Sequence, residues 1–230
     1  MGISQSRAAR QTEGLAYFSG VRRDIVHLLP DDCRRLLELG CGAGLTLKHL
    51  KDEGLCRWAS GVELNVSAAE VAKRYLDRVW SGDIESMTLD IEPGSLDAIL
   101  ALDVLEHLVD PWAVVERLHR LLKPGGVLIA AIPNIRNIKT LWRLATRGDF
   151  NYQDQGIFDR THLRFFVRET IVELLEYSGL KVDVVEPIPK LKPWKNKWIY
   201  NKLTFGALTD LYPTGYRVRA VRGISRGRGS

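Results

Sequence analysis

The sequence predicts an α/β fold, a mostly parallel sheet with helices on both faces, and three features point to it. Short, continuously apolar runs alternate with stretches of helical spacing. One such run lies in RRLLELGCGAGLTLKHL, from Arg34 to Leu50, where it breaks into three alternate glycines and then a helix. Another closes on a lone carboxylate, Glu63. Strands that are apolar along their whole length are buried on both sides, as in a parallel sheet between two helical layers.

The elements follow in order. Residues 1–13 are polar and read as mobile. GLAYFSGVRRDIVHLLP, from Gly14 to Pro30, has helical spacing at Leu15, Phe18, Ile25, Leu28 and Leu29 and predicts a leading helix or two. Strands near 35–39, 58–63, 78–81, 96–101 and 126–132 then alternate with helices near 45–53, 67–78 and 111–121. Pro111 suits a first helical turn, and LKPGG at 122–126 reads as a helix stop. Residues 134–168 show no strand pattern. They form an insertion at the C-terminal end of a strand, where substrates bind in open α/β sheets. RETIVELLEYSGL predicts a helix ended by Gly179, KVDVVEPIP a strand, and residues near 216–222 a last strand.

Composition narrows the class. At 230 residues, 45% hydrophobic and 27% charged, the chain fits one soluble domain spanning 1–230. The longest apolar run, Val127–Pro133, is far short of the roughly 20 residues of a membrane span. Cys33, Cys41 and Cys56 are unclustered and odd in number, which argues against a disulfide frame or zinc site and for a reducing, cytoplasmic setting. Residues 217–230 hold five arginines and no acid, matching the whole net charge of +5, so 223–230 reads as a basic tail on a nearly neutral body. KLKPWKNKWIYNK, Lys190–Lys202, interleaves five lysines with Trp194 and Trp198. Such a segment can rest on an anionic membrane surface as a peripheral contact, or simply pack its tryptophans and solvate its lysines.

The glycine turn carries chemistry. Gly40, Gly42 and Gly44 let the backbone approach a ligand, and the following helix offers its first N–H groups. The spacing is G-x-G-x-G after Glu38, whereas dinucleotide-binding dehydrogenases carry G-x-G-x-x-G. ELGCGAG resembles the first motif of the class I S-adenosylmethionine-dependent methyltransferases. GVELN at 61–65, GDIE at 82–85, LDAILALDVLEHLVDP at 96–111 and LLKPGGVLIAAIPN at 121–134 resemble the motifs that follow it in that family. The resemblance covers about residues 34–134. It implies a Rossmann-like, seven-stranded, mostly parallel sheet with helices on both faces, and S-adenosyl-L-methionine as cofactor.

The resemblance also implies roles. Glu38 would sit beside the amino acid moiety, lined by the backbone of Gly40, Cys41, Gly42 and Gly44. Glu63, with Leu64 beside it, would accept the ribose hydroxyls. Asp83 would accept from the adenine amino group with Ile84 against the ring, Asp90 being the competing acid. Leu102 and Asp103, at the end of the fourth strand, would face the methyl group. Asp103, Glu106 and His107 form D-x-x-E-H, expected to place Asp103 and His107 on one helical turn. With His162 this is similar to the E-x-x-E-H and distant histidine that bind a divalent ion in metal-dependent small-RNA and quinone-precursor O-methyltransferases. Aspartate in first place is a departure, and no metal is expected. FDRTHLRFFVRET, Phe158–Thr170, resembles a motif of bacterial methyltransferases associated with polysaccharide, glycosylation or natural-product enzymes. His162 is read as a proton acceptor, with Asp103 and His107 also catalytic.

The expected reaction is methyl transfer to a hydroxyl of a glycan or small metabolite, with 134–168 as acceptor pocket and lid. Trp142, Phe150, Tyr152, Phe158, Phe165 and Phe166 are candidates to stack on that acceptor. N-methylation and RNA methylation are alternatives. ALDVLEH, however, replaces the N-P-P-Y or D-P-P-Y of amino-methylating nucleic-acid enzymes, and the clustered arginines lie only in the tail, so a nucleic-acid partner is not favoured. A cofactor-binding scaffold without catalysis is the alternative of another class.

Overall fold

The computed structural model describes residues 20–188 and 209–223. The readings on residues 1–13, on Lys190–Lys202 and on nearly all of the arginine tail fall outside them. The strands are β1 (Arg35–Leu39), β2 (Trp58–Glu63), β3 (Arg78–Ser81), β4 (Leu96–Leu102), β5 (Leu122–Pro133), β6 (Leu180–Ile188) and β7 (Gly215–Arg222). They form one sheet in the order β3-β2-β1-β4-β5-β7-β6. Neighbours are parallel except around β7, which runs antiparallel to β5 and β6. The α-helices of the described residues are α1 (Leu45–Asp52), α2 (Val66–Ala72), α3 (Pro111–Leu121), α4 (Ile138–Arg147) and α5 (Arg168–Tyr177).

The period of two along each strand divides the core between the faces. Leu37, Ile99, Ala101, Leu128 and Ala130 pack with Val114 and Leu118 of α3 and Ile171 and Leu174 of α5. Their alternates, Leu36, Ala98, Leu100, Val127 and Ile129, pack with Ile25, Leu28, Leu47, Leu50 and Ala72 on the opposite face. Each fully buried leucine or isoleucine stabilises the fold by about 2 kcal/mol relative to exposure. Glu38 alternates with Leu37 and Leu39, which puts a carboxylate where an apolar side chain would otherwise close the layer.

The chain winds from β1 outward to β3, then returns to β4 on the other side of β1 and winds outward to β5. The carboxyl ends of β1 and β4 therefore flank a crevice at the point where the winding reverses. Glu38 and Gly40 lie at one end, Leu102 and Asp103 at the other.

Several boundaries differ from the sequence expectation. The helix expected over 67–78 ends at Ala72, because Asp77 is drawn into the start of β3. Its N–H donates to the Ala59 carbonyl (2.9 Å) and its carboxylate accepts the Ala59 N–H (2.8 Å). LKPGG does end a helix, α3 stopping at Leu121, but it is also the irregular start of β5: Leu122 pairs with Leu96, and the register shifts before Ala98 pairs with Val127. The described part of the leading segment is a 3-10 helix over Arg23–Leu28. The insertion, read only as lacking a strand pattern, contains α4, capped by Asn137 at its start and Gly148 at its end. Buried Asn134 and Asn137 tie its root down by donating to the carbonyls of Asp210, Tyr212 and Pro213.

Candidate active site

Two cavities open at this crevice and meet at one ion pair. The smaller, about 270 Å³, is bordered by Glu38, Gly40, Cys41, Gly42, Glu63, Leu64, Ile84, Leu102 and Asp103 among others. The larger, about 740 Å³, is bordered by Asp103, Glu106, His107, Phe158 and His162 together with Lys139, Thr140 and Arg143 of α4. Arg22 and Asp103 border both, and the Arg22 guanidinium is paired with the Asp103 carboxylate.

Backbone geometry shapes the smaller cavity. Gly40, Gly42 and Gly44 all have positive φ, at 62°, 54° and 78°. At Gly40 the constraint is double, since a Cβ there would also lie 2.8 Å from a methyl of Val104. Cys41 turns its thiol onto β2, where Gly61 leaves room; a Cβ at Gly61 would lie 2.3 Å from the Cys41 sulfur. Burial pushes that thiol well above its usual range, with Glu38 and Glu63 adding to the effect. The Glu63 carboxylate is oriented by two backbone donors, Gly42 N–H and Asn65 N–H, at 2.8 Å each.

Glu38 is held differently. Burial raises its pKa to about 8, partly opposed by Arg22 and reinforced by Glu63. One of its oxygens, Oε2, is buried without a hydrogen-bond partner among the described residues. A buried acid in that state favours protonation, or a cationic ligand beside it.

The structure leaves two of the expected cofactor contacts outside the cavity wall. Gly44 serves as N-cap of α1, with the Cβ of Ala72 close against it. Asp83 lies between the lining residues Gly82 and Ile84, and its carboxylate accepts the Glu85 N–H at 2.9 Å. Asp90 is paired instead with Arg78.

Asp103 departs from the expected helical turn. Its φ is 57°, the one positive value of a non-glycine among the described residues, and the helix that follows is a single 3-10 turn over Leu105–His107. Asp103 and His107 therefore do not share a helical turn. Aspartate tolerates this left-handed backbone better than most residues, and here its side chain turns to Arg22. Arg22 itself is fastened by its N–H to the Thr46 hydroxyl (3.1 Å) and by its side chain to Asp24. Burial would raise the Asp24 pKa, but hydrogen bonds from Arg22 and Arg217 outweigh it and bring it to about 2. No local pattern around SGVRRDI marks Arg22 as a site residue, whereas Thr46 stands in the first turn of α1, just after the glycine turn.

Glu106, His107 and His162 converge with the ligand atoms they offer within 4.8 Å of one another. Backbone N–H groups of Leu163 and Arg164 both donate to the Glu106 carbonyl at 2.9 Å, which lays the DRTHLR segment across the end of β4. Asp159 accepts the Thr161 hydroxyl (2.7 Å), so that hydroxyl's oxygen and the Thr161 carbonyl both stand as acceptors, 3.0 and 3.1 Å from His107 Nδ1. His162 Nδ1 faces the Ile157 carbonyl at 3.1 Å. Both rings thus carry a hydrogen on Nδ1, and both Nε2 atoms stand 3.9 Å from Glu106 Oε1. The three side chains are close enough to share a proton or a cation.

The aromatic expectation is corrected in part. Of the six residues proposed to stack on an acceptor, only Phe158 borders the larger cavity. Phe166 belongs to the core beneath, and Trp142, Phe150, Tyr152 and Phe165 are at the surface. The insertion buries one edge of its aromatic cluster and turns the rest outward.

Comparison with known proteins gives the same architecture. Residues 12–185 match the model of a family described as a methyltransferase domain. A ubiquinone biosynthesis O-methyltransferase of Paracidovorax citrulli is 31% identical over 118 residues, which span 49% of this chain and 48% of that protein. One from Thiobacillus denitrificans is 27% identical over 174 residues, covering 69% of this chain and 73% of the other. The crystal structure of an S-adenosylmethionine-dependent methyltransferase from Archaeoglobus fulgidus superposes with a TM-score of 0.65 at 19% identity, over 96% of this chain and 95% of that one, which shows a shared fold.

Proposed function

This chain belongs to the methyltransferase-domain family, and on that premise we propose that it moves the methyl group of S-adenosylmethionine to a hydroxyl of a small acceptor, a glycan or related metabolite. The observation that carries the reading is the meeting of two unlike cavities at Arg22 and Asp103, at the reversal point of the sheet.

The smaller cavity fits the cofactor. The buried, unpartnered Oε2 of Glu38 suits an ammonium, and the carboxylate of Glu63, already held by two N–H groups, suits a ribose diol. Gly40, Cys41, Gly42, Leu64, Ile84 and Leu102 would line it, with Gly44 shaping the turn and Asp83 at its rim for the adenine amino group. When bound, the cofactor supplies an activated methyl on sulfur, open to in-line displacement. The protein's part is to align the acceptor oxygen with that methyl and to remove one proton. As the oxygen–methyl bond forms and the sulfur–methyl bond breaks, the hydroxyl proton passes to an Nε2 of His107 or His162. Glu106 stabilises the resulting imidazolium. Asp103, at the junction, orients the acceptor. His162→Ala with normal cofactor binding but unchanged turnover would remove this role.

The names of the curated relatives favour an oxygen acceptor. A labelled-methyl screen over sugar nucleotides, lipid-linked glycans, phenols, amines and RNA tests it. Incorporation into amines or RNA alone would refute the oxygen acceptor.

A second reading is favoured by the convergence of three side chains whose histidines both use Nδ1 on protein acceptors. Glu106, His107 and His162 fit a divalent cation as one carboxylate and two imidazole ligands, against the expectation of no metal. Such an ion would polarise the acceptor hydroxyl. Exhaustive chelation separates the two readings: surviving turnover keeps the imidazoles as proton acceptors, whereas collapse with rescue by magnesium or manganese makes them ligands.

A further inference from the structure

Helix α4 is turned the wrong way for a soluble protein. Its one buried side chain is Thr140, while Ile138, Leu141, Trp142 and Leu144 are exposed, Trp142 to 65%. Ile138, Leu141 and Trp142 follow the spacing of a single helical stripe, on the side away from Thr140. Nearby, Phe150, Tyr152 and Phe165 are also exposed. These seven are most of the large exposed hydrophobic residues among the described part of the chain, so the patch is concentrated on the insertion.

Charge identifies what covers it. Lys139, Arg143 and Arg147 recur every four residues beside the apolar stripe, and no acid occurs from Asn134 to Gly148. Arg143 is paired with Asp149, while Lys139 and Arg147 are in no ion pair among the described residues. Two copies meeting symmetrically through this face would set cations against cations. An apolar stripe bearing a tryptophan and flanked by lysine and arginine instead suits the boundary between acyl chains and anionic headgroups. Among the described residues no helix is long and apolar enough to cross a membrane, so contact here would lie along the surface.

We infer that α4 docks this chain on an anionic lipid bilayer. Lys139, Thr140 and Arg143 of the same helix border the larger cavity, so docking through the opposite stripe would place α4 between the lipid surface and that cavity. Only the identification of that cavity with the acceptor rests on the proposed methyl transfer, and docking is measured without any turnover.

The test is co-sedimentation of the full chain with vesicles of phosphatidylglycerol and phosphatidylcholine in equal parts, and of phosphatidylcholine alone. Binding to the anionic vesicles is expected, weakened by salt, with little binding to the neutral ones. Replacing Leu141 and Trp142 together by serine should weaken it at least about tenfold. Both positions are solvent-facing, and an unchanged melting temperature checks that the variant is folded. Absence of binding by the parent chain would overturn the inference. Parent-like binding by the double variant would also overturn it, placing lipid contact elsewhere in the chain. A dimer that the double variant dissolves, without vesicle binding, would make a second copy the occupant.

Discussion

The two cavities are walled by different parts of the polypeptide. The smaller is largely a product of backbone: three glycines at positive φ, two N–H groups on Glu63, and strand ends brought together by sheet register. The larger is walled in good part by side chains of the insertion at 134–168, held in place by Asp159, Thr161 and the backbone of Glu106. A backbone-built site tolerates few substitutions anywhere and takes one kind of ligand. A side-chain-built site can change its ligand by changing residues, while the scaffold stays put. On the proposed function, the contrast teaches where specificity would reside: choice of the methyl donor at β1 and β2, choice of the acceptor in residues 134–168.

Substitutions sharpen this contrast, from large effects to small. Gly61→Ala brings a Cβ within 2.3 Å of the buried Cys41 sulfur. It should cost about 3 kcal/mol of stability, because overpacking in a closed layer has no room to relax. Urea denaturation measures this, and Cys41→Gly should recover part of the loss; no recovery would show that the strain lies elsewhere. His162→Ala should lower turnover by about 10²-fold, about 2.7 kcal/mol, and leave cofactor affinity alone. Equal losses in both would show that the two cavities do not divide the work.

Glu63→Ala should weaken binding of S-adenosylhomocysteine by about 2 kcal/mol in calorimetry, since a charged acceptor is lost and two backbone donors lose their partner. An unchanged affinity would move the ribose site away from β2. The smallest effect at any one pH belongs to Glu38. With its pKa near 8 in the empty site, it is mostly protonated at neutral pH, and a ligand ammonium needs it ionised. Binding should therefore release close to one proton at pH 7. Affinity should rise up to about tenfold per unit as pH climbs toward 8 and level off above. Calorimetry in buffers of different ionisation enthalpy reads the proton directly, and proton uptake would reverse the assignment.

Much of the fold was legible because its signals are local. Strand runs such as Ile99–Leu102 and Val127–Ile132 are buried on both faces and so are apolar throughout, and Pro111 and Gly179 mark helix ends by their own backbone preferences. Boundaries set by pairing were less legible. Leu122 joins β5 because Leu96 is opposite it, and Asp77 leaves α2 because Ala59 draws it away. The same division runs through the site. Glu38, the glycine turn and Glu63 stand at strand ends, where position follows from pattern. Arg22 reaches the smaller cavity from a segment whose local sequence carries no such mark.

The sequence by itself determined the order of strands and helices, the ligand turn after β1 and the presence of acids and histidines suited to methyl transfer, since each depends on residues close together in the chain. Only the tertiary structure decided that Glu106 and His107 meet His162, that both rings donate from Nδ1, that Asp103 leaves the helical turn for Arg22, and that α4 turns its apolar stripe to the outside. Those outcomes depend on which distant backbone groups come to stand opposite one another. A hydrogen bond or a buried face across that distance leaves no periodicity in the chain to read.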